Sequence, residues 1–114
     1  MRNFKDDLEK ILKTTKINEI KSFPFGETDS LRATSIDALE LSVRSSNGLR
    51  RKGVTTIGGI IDNWNNIKNW RGLGITSINE IKSSFYEYYY STLSSDDVSR
   101  FWTRFIEANI GVQI

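Results

Sequence analysis

Gly53-Val54-Thr55-Thr56-Ile57-Gly58-Gly59-Ile60 is answered further along the sequence by Gly74-Ile75-Thr76-Ser77-Ile78-Asn79-Glu80-Ile81. Both stretches read glycine, β-branched aliphatic, Thr, hydroxyl residue, Ile, two variable residues, Ile. Glycine suits the left-handed position just past a helix end, so a positive φ is expected at Gly74 as at Gly53. Thr or Ser then caps the next helix. The two Ile lie three apart on that helix and face one core. Each copy is therefore expected to be a tight helix-to-helix turn. Such turns leave backbone N–H groups pointing at solvent, where an anion can sit. Two of them in a small domain fit a binder of phosphate backbone, and equally a pair of ordinary helix caps.

Working outward, the helical period recurs on both sides. Phe4, Leu8, Ile11 and Leu12 share one face of a helix over 3–13, with Asn3 as its cap. A short helix is expected over 17–22. Residues 23–35 hold the only proline, Pro24, with Gly26 and several hydroxyl residues, and read as a connector. Ile17-Asn18-Glu19-Ile20-Lys21-Ser22 recurs as Ile78 to Ser83, but without the flanking glycine, and we read that match as chance. An extended or single-turn segment is expected over 35–41. Ser42 then caps a helix over 43–52 that ends on Arg50-Arg51-Lys52 and Gly53. Further helices are expected over 57–64, with Ile57, Ile60, Ile61 and Trp64 inward, and over 66–70. Ser77 and Glu80 have capping-box spacing and open a helix over 78–91, with Tyr88 or Tyr89 continuing its buried face. Ser95 opens the last helix, 96–109, whose stripe is Val98, Phe101, Trp102, Phe105 and Ile106. Nothing reads as a sheet, so the class is all-α.

Composition narrows the function. The protein has 114 residues, 38% of them hydrophobic, with three Trp, six Phe and four Tyr, which suits a folded domain. It has no Cys and no His, so a disulfide framework, a thiolate site and the commonest transition-metal ligand are all missing. No cofactor is expected, and the protein is not expected to be an enzyme. The charged start Met1-Arg2-Asn3-Phe4-Lys5-Asp6-Asp7 does not read as a signal peptide, and no run is long enough to span a bilayer. A cytoplasmic location and no membrane partner follow as expectations. Net charge is +2 overall, but residues 38–93 carry +3, against zero before them and −1 after. The repeat-bearing middle is the basic part, a weak footprint for nucleic acid that implies few phosphate contacts.

Leu39-Glu40-Leu41-Ser42-Val43-Arg44-Ser45-Ser46-Asn47-Gly48-Leu49 carries the sharpest functional signal. Arg44, Asn47 and Gly48 share one face at the start of a helix, while Leu41 and Leu49 supply the packing. A helical glycine costs roughly 1 kcal/mol relative to Ala, and close approach of another backbone, protein or nucleic acid, can offset that. This stretch, followed by Ile57-Gly58, Leu73-Gly74, Ser77, Glu80, Ile81 and Lys82, resembles the C-terminal domain of the bacterial RNA polymerase alpha subunit over residues 36–86. The resemblance implies a compact helical bundle with helix-hairpin-helix-like turns. It also implies binding in the minor groove of A/T-rich double-stranded DNA, in transcription.

By that resemblance Arg44 is the minor-groove arginine and Asn47 its partner on the same helix. Gly48 lies near the DNA, and Gly74, Thr76 and Ser77 form the phosphate-contacting turn. Two positions depart from the family. Thr76 stands where it has a lysine and Gly72 where it has an asparagine, which implies weaker binding. The physics is compatible: a narrow A/T minor groove favours an inserted guanidinium, Asn reaches base-edge acceptors, and helix N-termini hold the flanking phosphates. For Arg50-Arg51-Lys52, cations at a helix C-terminus need no ligand.

The expected organisation is an N-terminal helical appendage and connector over 1–35, a polymerase-alpha-like domain over 36–93, and an aromatic helix over 94–114 packed on the rest. With no room for an assembly domain, a free-standing relative is expected. The competing function is a protein-interaction module that binds a transcription factor or polymerase component without touching DNA. Glu40 would lie near such a surface, and the aromatic helix could dock on a partner or on a second copy. RNA polymerase, a transcription regulator and a homodimer are the partners these alternatives leave open. Phe101, Trp102 and Phe105 are expected to be buried, preferably on Phe4, Leu8 and Leu12 of the same molecule, because such a stripe does not stay in water.

Overall fold

The computed structural model of the protein describes residues 3–15, 17, 26 and 28–110, and every regular element among them is helical. The helices are α1 (Phe4–Thr14), α2 (Asp29–Ala33), α3 (Val43–Arg51), α4 (Ile57–Asp62), α5 (Ile75–Ser91) and α6 (Ser95–Ile110), with 3-10 turns at Ile36–Leu39 and Ile67–Asn69. One isolated antiparallel bridge joins Ser35 to Thr56. The all-α class holds. The helix expected at 17–22 lies outside the described residues, apart from Ile17. The connector expected over 23–35 is a helix in its later part. Thr28 accepts the Leu31 N–H at 3.0 Å and starts α2, and Leu31 is buried. Residues 27–88 form one compact unit, and residues 1–26 with 89–114 form another.

In the 27–88 unit, side chains at helical spacing close a core of Leu49, Ile57, Ile60, Ile67, Ile81 and Phe85, all fully buried. The Ser35–Thr56 bridge ties the start of α4 to the 36–39 turn, with the Ile36 N–H on Thr55 O at 3.0 Å and the Ile57 N–H on Thr34 O at 2.8 Å. Gly58 lets α4 lie against α2: a Cβ there would stand 2.9 Å from the Arg32 carbonyl oxygen. Arg32 also bridges the two helices through both oxygens of Asp62, at 2.9 Å each.

The two copies of the repeat fold differently. In the first, Gly53 has φ 78° and ends α3. Its N–H meets Arg50 O and the Val54 N–H meets Leu49 O, both at 3.0 Å, closing the last turn of α3 as a glycine-ended helix does. Thr56 then caps α4 by accepting the Gly59 N–H. In the second copy the left-handed position is Gly72, at φ 93°, and not Gly74. Trp70-Arg71-Gly72-Leu73 is a β-turn closed by the Leu73 N–H on Trp70 O at 3.3 Å, and a positive φ at its third residue calls for glycine. With the reversal complete at Gly72, the helix starts earlier than expected. Gly74 O accepts the Ile78 N–H at 3.0 Å, and α5 begins at Ile75. Ser77 therefore sits inside the first turn, where it is not the cap.

The other unit is organised by aromatic rings. Phe101, Trp102 and Phe105 of α6 are 4%, 8% and 0% exposed. Phe4 of α1 stacks on Trp102, with centroids 5.9 Å apart, and stands edge-on to Tyr90 at 5.5 Å. The aromatic helix thus packs within the molecule on Phe4, and Leu8 and Leu12 are half-buried. Tyr90 OH donates to Asp7 and accepts Trp102 Nε1–H at 2.9 Å, so the polar edges of these rings are satisfied. Tyr86 and Tyr90 are the buried tyrosines of α5, in place of Tyr88 or Tyr89. The cap of α6 is Ser94, whose hydroxyl accepts the Asp97 N–H, and not Ser95.

Candidate nucleic-acid interface

The sequence of α3 splits its surface in two. Ser45, Gly48 and Leu49 are buried. Arg44, Asn47 and Arg51, at i, i+3 and i+7, form an exposed stripe on the other side. Ser42 caps the helix, its hydroxyl accepting the Ser45 N–H. A capping box would have Glu at the third helical position, to reach back to the cap N–H. That position is Ser45, and the carboxylate comes instead from Glu80 of α5. Glu80 Oε2 accepts the Ser42 N–H at 2.8 Å, and Oε1 accepts the Ser42 hydroxyl at 2.8 Å. The hydroxyl of Ser45, itself fully buried, donates to Oε1 as well. The Ser45 hydroxyl first, then the Ser42 N–H and the Ser42 hydroxyl, hold the Glu80 carboxyl below the usual carboxylate range, against an opposing push from burial.

Two more contacts set the register between α3 and the segment leading into α5. A Cβ on Gly48 would overlap Cδ2 of Leu73 and stand 3.1 Å from its Cγ. The Lys52 ammonium lies 6.0 Å from the Trp70 ring centre. Ser42 and Ser45 thus meet Glu80, Gly48 meets Leu73, and Lys52 meets Trp70. The 70–80 segment runs antiparallel beside α3.

This register brings the start of α5 beside the exposed stripe. Gly74 is exposed, with nothing within 4 Å of where a Cβ would stand. As a glycine it has no side chain to cap α5. No side chain among the described residues bonds to the first-turn N–H groups of Ile75, Thr76 and Ser77, whereas α1, α2, α3, α4 and α6 each have an Asn, Thr or Ser cap. The positive end of the α5 dipole is therefore left without a side-chain cap among the described residues, with Gly74, Ile75 and Thr76 exposed.

The six residues singled out in the sequence take distinct places. Arg44, Asn47, Gly74 and Thr76 are exposed. Ser77 is 6% exposed, and Gly48 is buried beneath Leu73. Gly48 is thus small because a leucine side chain of the protein itself packs onto it. Sequence reasoning missed Glu80 as the second cap of α3. The available signal was a Ser-x-x-Ser start to a helix whose third position lacked the expected acid. It also passed over Arg51, which the i+7 spacing places on the Arg44 stripe.

The family model of the C-terminal domain of the bacterial RNA polymerase alpha subunit matches residues 26–87, more than half of the protein. The protein belongs to that family. The matched span contains α2, α3, α4 and most of α5, and stops short of α1 and α6. The sequence is 40% identical over 70 residues to a DNA-directed RNA polymerase subunit alpha of Syntrophomonas wolfei, across 60% of this protein and 22% of that one. It is 46% identical over 57 residues to the subunit of the same name from Rubrobacter xylanophilus, across 49% of this protein and 18% of that one. It therefore spans about a fifth of the length of these curated relatives. No solved structure matches it. Among the described residues no helix is long and apolar enough to cross a membrane.

Proposed function

We propose that this polymerase-alpha-type domain is a non-catalytic DNA-binding module of transcription that reads the minor groove of A/T-rich duplexes through α3. Arg44 enters the groove, where the negative potential of a narrow A/T tract favours a guanidinium. Asn47, one turn on, reaches base-edge acceptors directly or through water. The N–H groups at the start of α5, at Gly74, Thr76 and Ser77, seat a phosphate on the flanking strand. Gly48 contributes by letting Leu73 press onto α3, which draws that helix start against the reading stripe. RNA polymerase and its regulators are the proposed protein context.

The observation that carries this is the placement of an exposed arginine stripe beside a helix start that has no side-chain cap, within the family-matched span. The interaction-module alternative loses one of its supports, because Phe101 and Trp102 are covered by the protein's own Phe4 and Tyr90, and Phe105 is fully buried beside Trp102. The test is a fluorescence titration of A/T-rich and G/C-rich duplexes at two salt concentrations. Tighter binding to the A/T duplex, weakened by salt, is expected. Equal affinity for both would remove minor-groove reading, and no binding to either would remove the DNA function.

A further inference from the structure

The exposed stripe of α3 continues past Asn47 to Arg51, and the end of the helix gathers further cations. Lys52 lies over Trp70, which brings the C-terminal end of α3 beside the loop that carries Lys68 and Arg71. Arg51, Lys52, Lys68 and Arg71 are all exposed. Arg50 differs, since its guanidinium is held by Asp37 at 2.7 Å. Among the described residues, no carboxylate forms an ion pair with Arg51, Lys52, Lys68 or Arg71. Among the described residues, the large apolar side chains that stand exposed are Val43 and Ile75, at the starts of α3 and α5.

We infer that Arg51 and Arg71, with Lys52 and Lys68 around them, form a second phosphate-binding pole that grips the duplex backbone beyond the groove that Arg44 enters. The inference rests on the DNA function proposed above and adds an anchor at the far end of α3. Seven residues of helix separate Arg51 from Arg44 by about 10 Å along the axis. The B-form minor groove is only about 6 Å wide. With Arg44 inside the groove, Arg51 has passed its wall and stands over the sugar-phosphate strand. The Lys52–Trp70 contact puts Arg71 at the same end of α3 as Arg51. Phosphate is the partner that such unpaired cations at one end of a helix recognise, and its contribution is electrostatic and indifferent to sequence.

The experiment measures duplex affinity of the whole protein over a series of salt concentrations, for the parent, for Arg51→Ala/Arg71→Ala and for Arg51→Lys/Arg71→Lys. Each phosphate contact contributes about 0.9 to the slope of log affinity against log salt. The double alanine variant should flatten that slope by about 1.8 and weaken binding at low salt, with the A/T-to-G/C affinity ratio unchanged. The lysine pair should restore the slope, because a point charge suffices for a phosphate. Arg44→Ala should instead lower the A/T-to-G/C ratio. If the parent binds duplex and the double alanine variant keeps its full slope, the second pole is wrong while the DNA function stands. If the parent binds no duplex, both fall.

Discussion

Replacing Glu80 with Ala removes the carboxylate that closes the start of α3. Three donors lose their acceptor: the Ser42 N–H, the Ser42 hydroxyl and the Ser45 hydroxyl. A hydrogen bond to a charged group is worth about 1.5–3 kcal/mol. The three share one half-exposed acceptor, so their sum is discounted, and a total loss of about 2–3 kcal/mol is expected. Much of it comes from Ser45, whose fully buried hydroxyl cannot turn to water. For a unit of this size the loss corresponds to a fall in Tm on the order of 10–15 °C. Urea unfolding followed by circular dichroism reads it directly. Acid titration adds a second arm. The folded-state pKa of Glu80 lies below its unfolded value of about 4.5, so its stabilisation is complete above that pH. It is lost as pH falls through the lower, folded-state value. Glu80→Gln should lack this part of the acid sensitivity. A Glu80→Ala protein within about 0.5 kcal/mol of the parent at pH 7 would refute the capping role, since surface substitutions without a mechanism fall in that range.

Arg44→Ala should leave Tm unchanged, because the side chain is exposed, while weakening A/T-duplex binding by roughly 1–3 kcal/mol in a polarisation titration. Gly74→Asp should instead raise stability. A carboxylate at the open start of α5 caps the helix for about 0.5–1 kcal/mol of added stability yet repels phosphate, so the variant should melt higher and bind duplex less tightly. Gly48→Ala should destabilise by about 1–3 kcal/mol in urea, because the new methyl overlaps Leu73. Tyr90→Phe leaves Trp102 Nε1–H without the acceptor it has now and should cost about 1–3 kcal/mol, read by thermal unfolding.

Much of the fold is legible because it is periodic. The stripe of Phe101, Trp102 and Phe105, the face of Ile57 and Ile60, and the Ser42 and Asn3 caps all follow from local spacing. Other features depend on partners that no local window contains. Gly74 and Gly53 sit in the same letters, but whether glycine must turn left-handed is decided upstream, and Gly72 has already made the reversal. Tyr86 and Tyr90 are buried because α5 serves two clusters. Tyr86 meets Trp64 in one, and Tyr90 meets Phe4 and Trp102 in the other, so no single stripe describes that helix. Within the candidate interface, Arg44 and Asn47 are found through their place off the apolar face and a shared motif. Glu80 reads as part of its own helix, since nothing in Ser77-Ile78-Asn79-Glu80 indicates that the carboxylate reaches a serine 38 positions earlier.

The antiparallel register of α3 and the 70–80 segment also carries a kinetic consequence. Its contacts are nested: Lys52–Trp70 encloses the shortest loop, Gly48–Leu73 a longer one, and Ser42–Glu80 the longest. Loop closure grows costlier with length, and each inner contact shortens the effective loop left for the next. Zipping from the Lys52 end outward is therefore the expected order, with the Glu80 clasp expected to close last. Substitutions at Glu80 should then have φ-values near zero, accelerating unfolding while leaving the refolding rate almost untouched. Substitutions at Gly48 or Leu73 should slow refolding as well. The end of α3 that presents Arg44 is, on this order of events, the last part of the hairpin to close and the first to open.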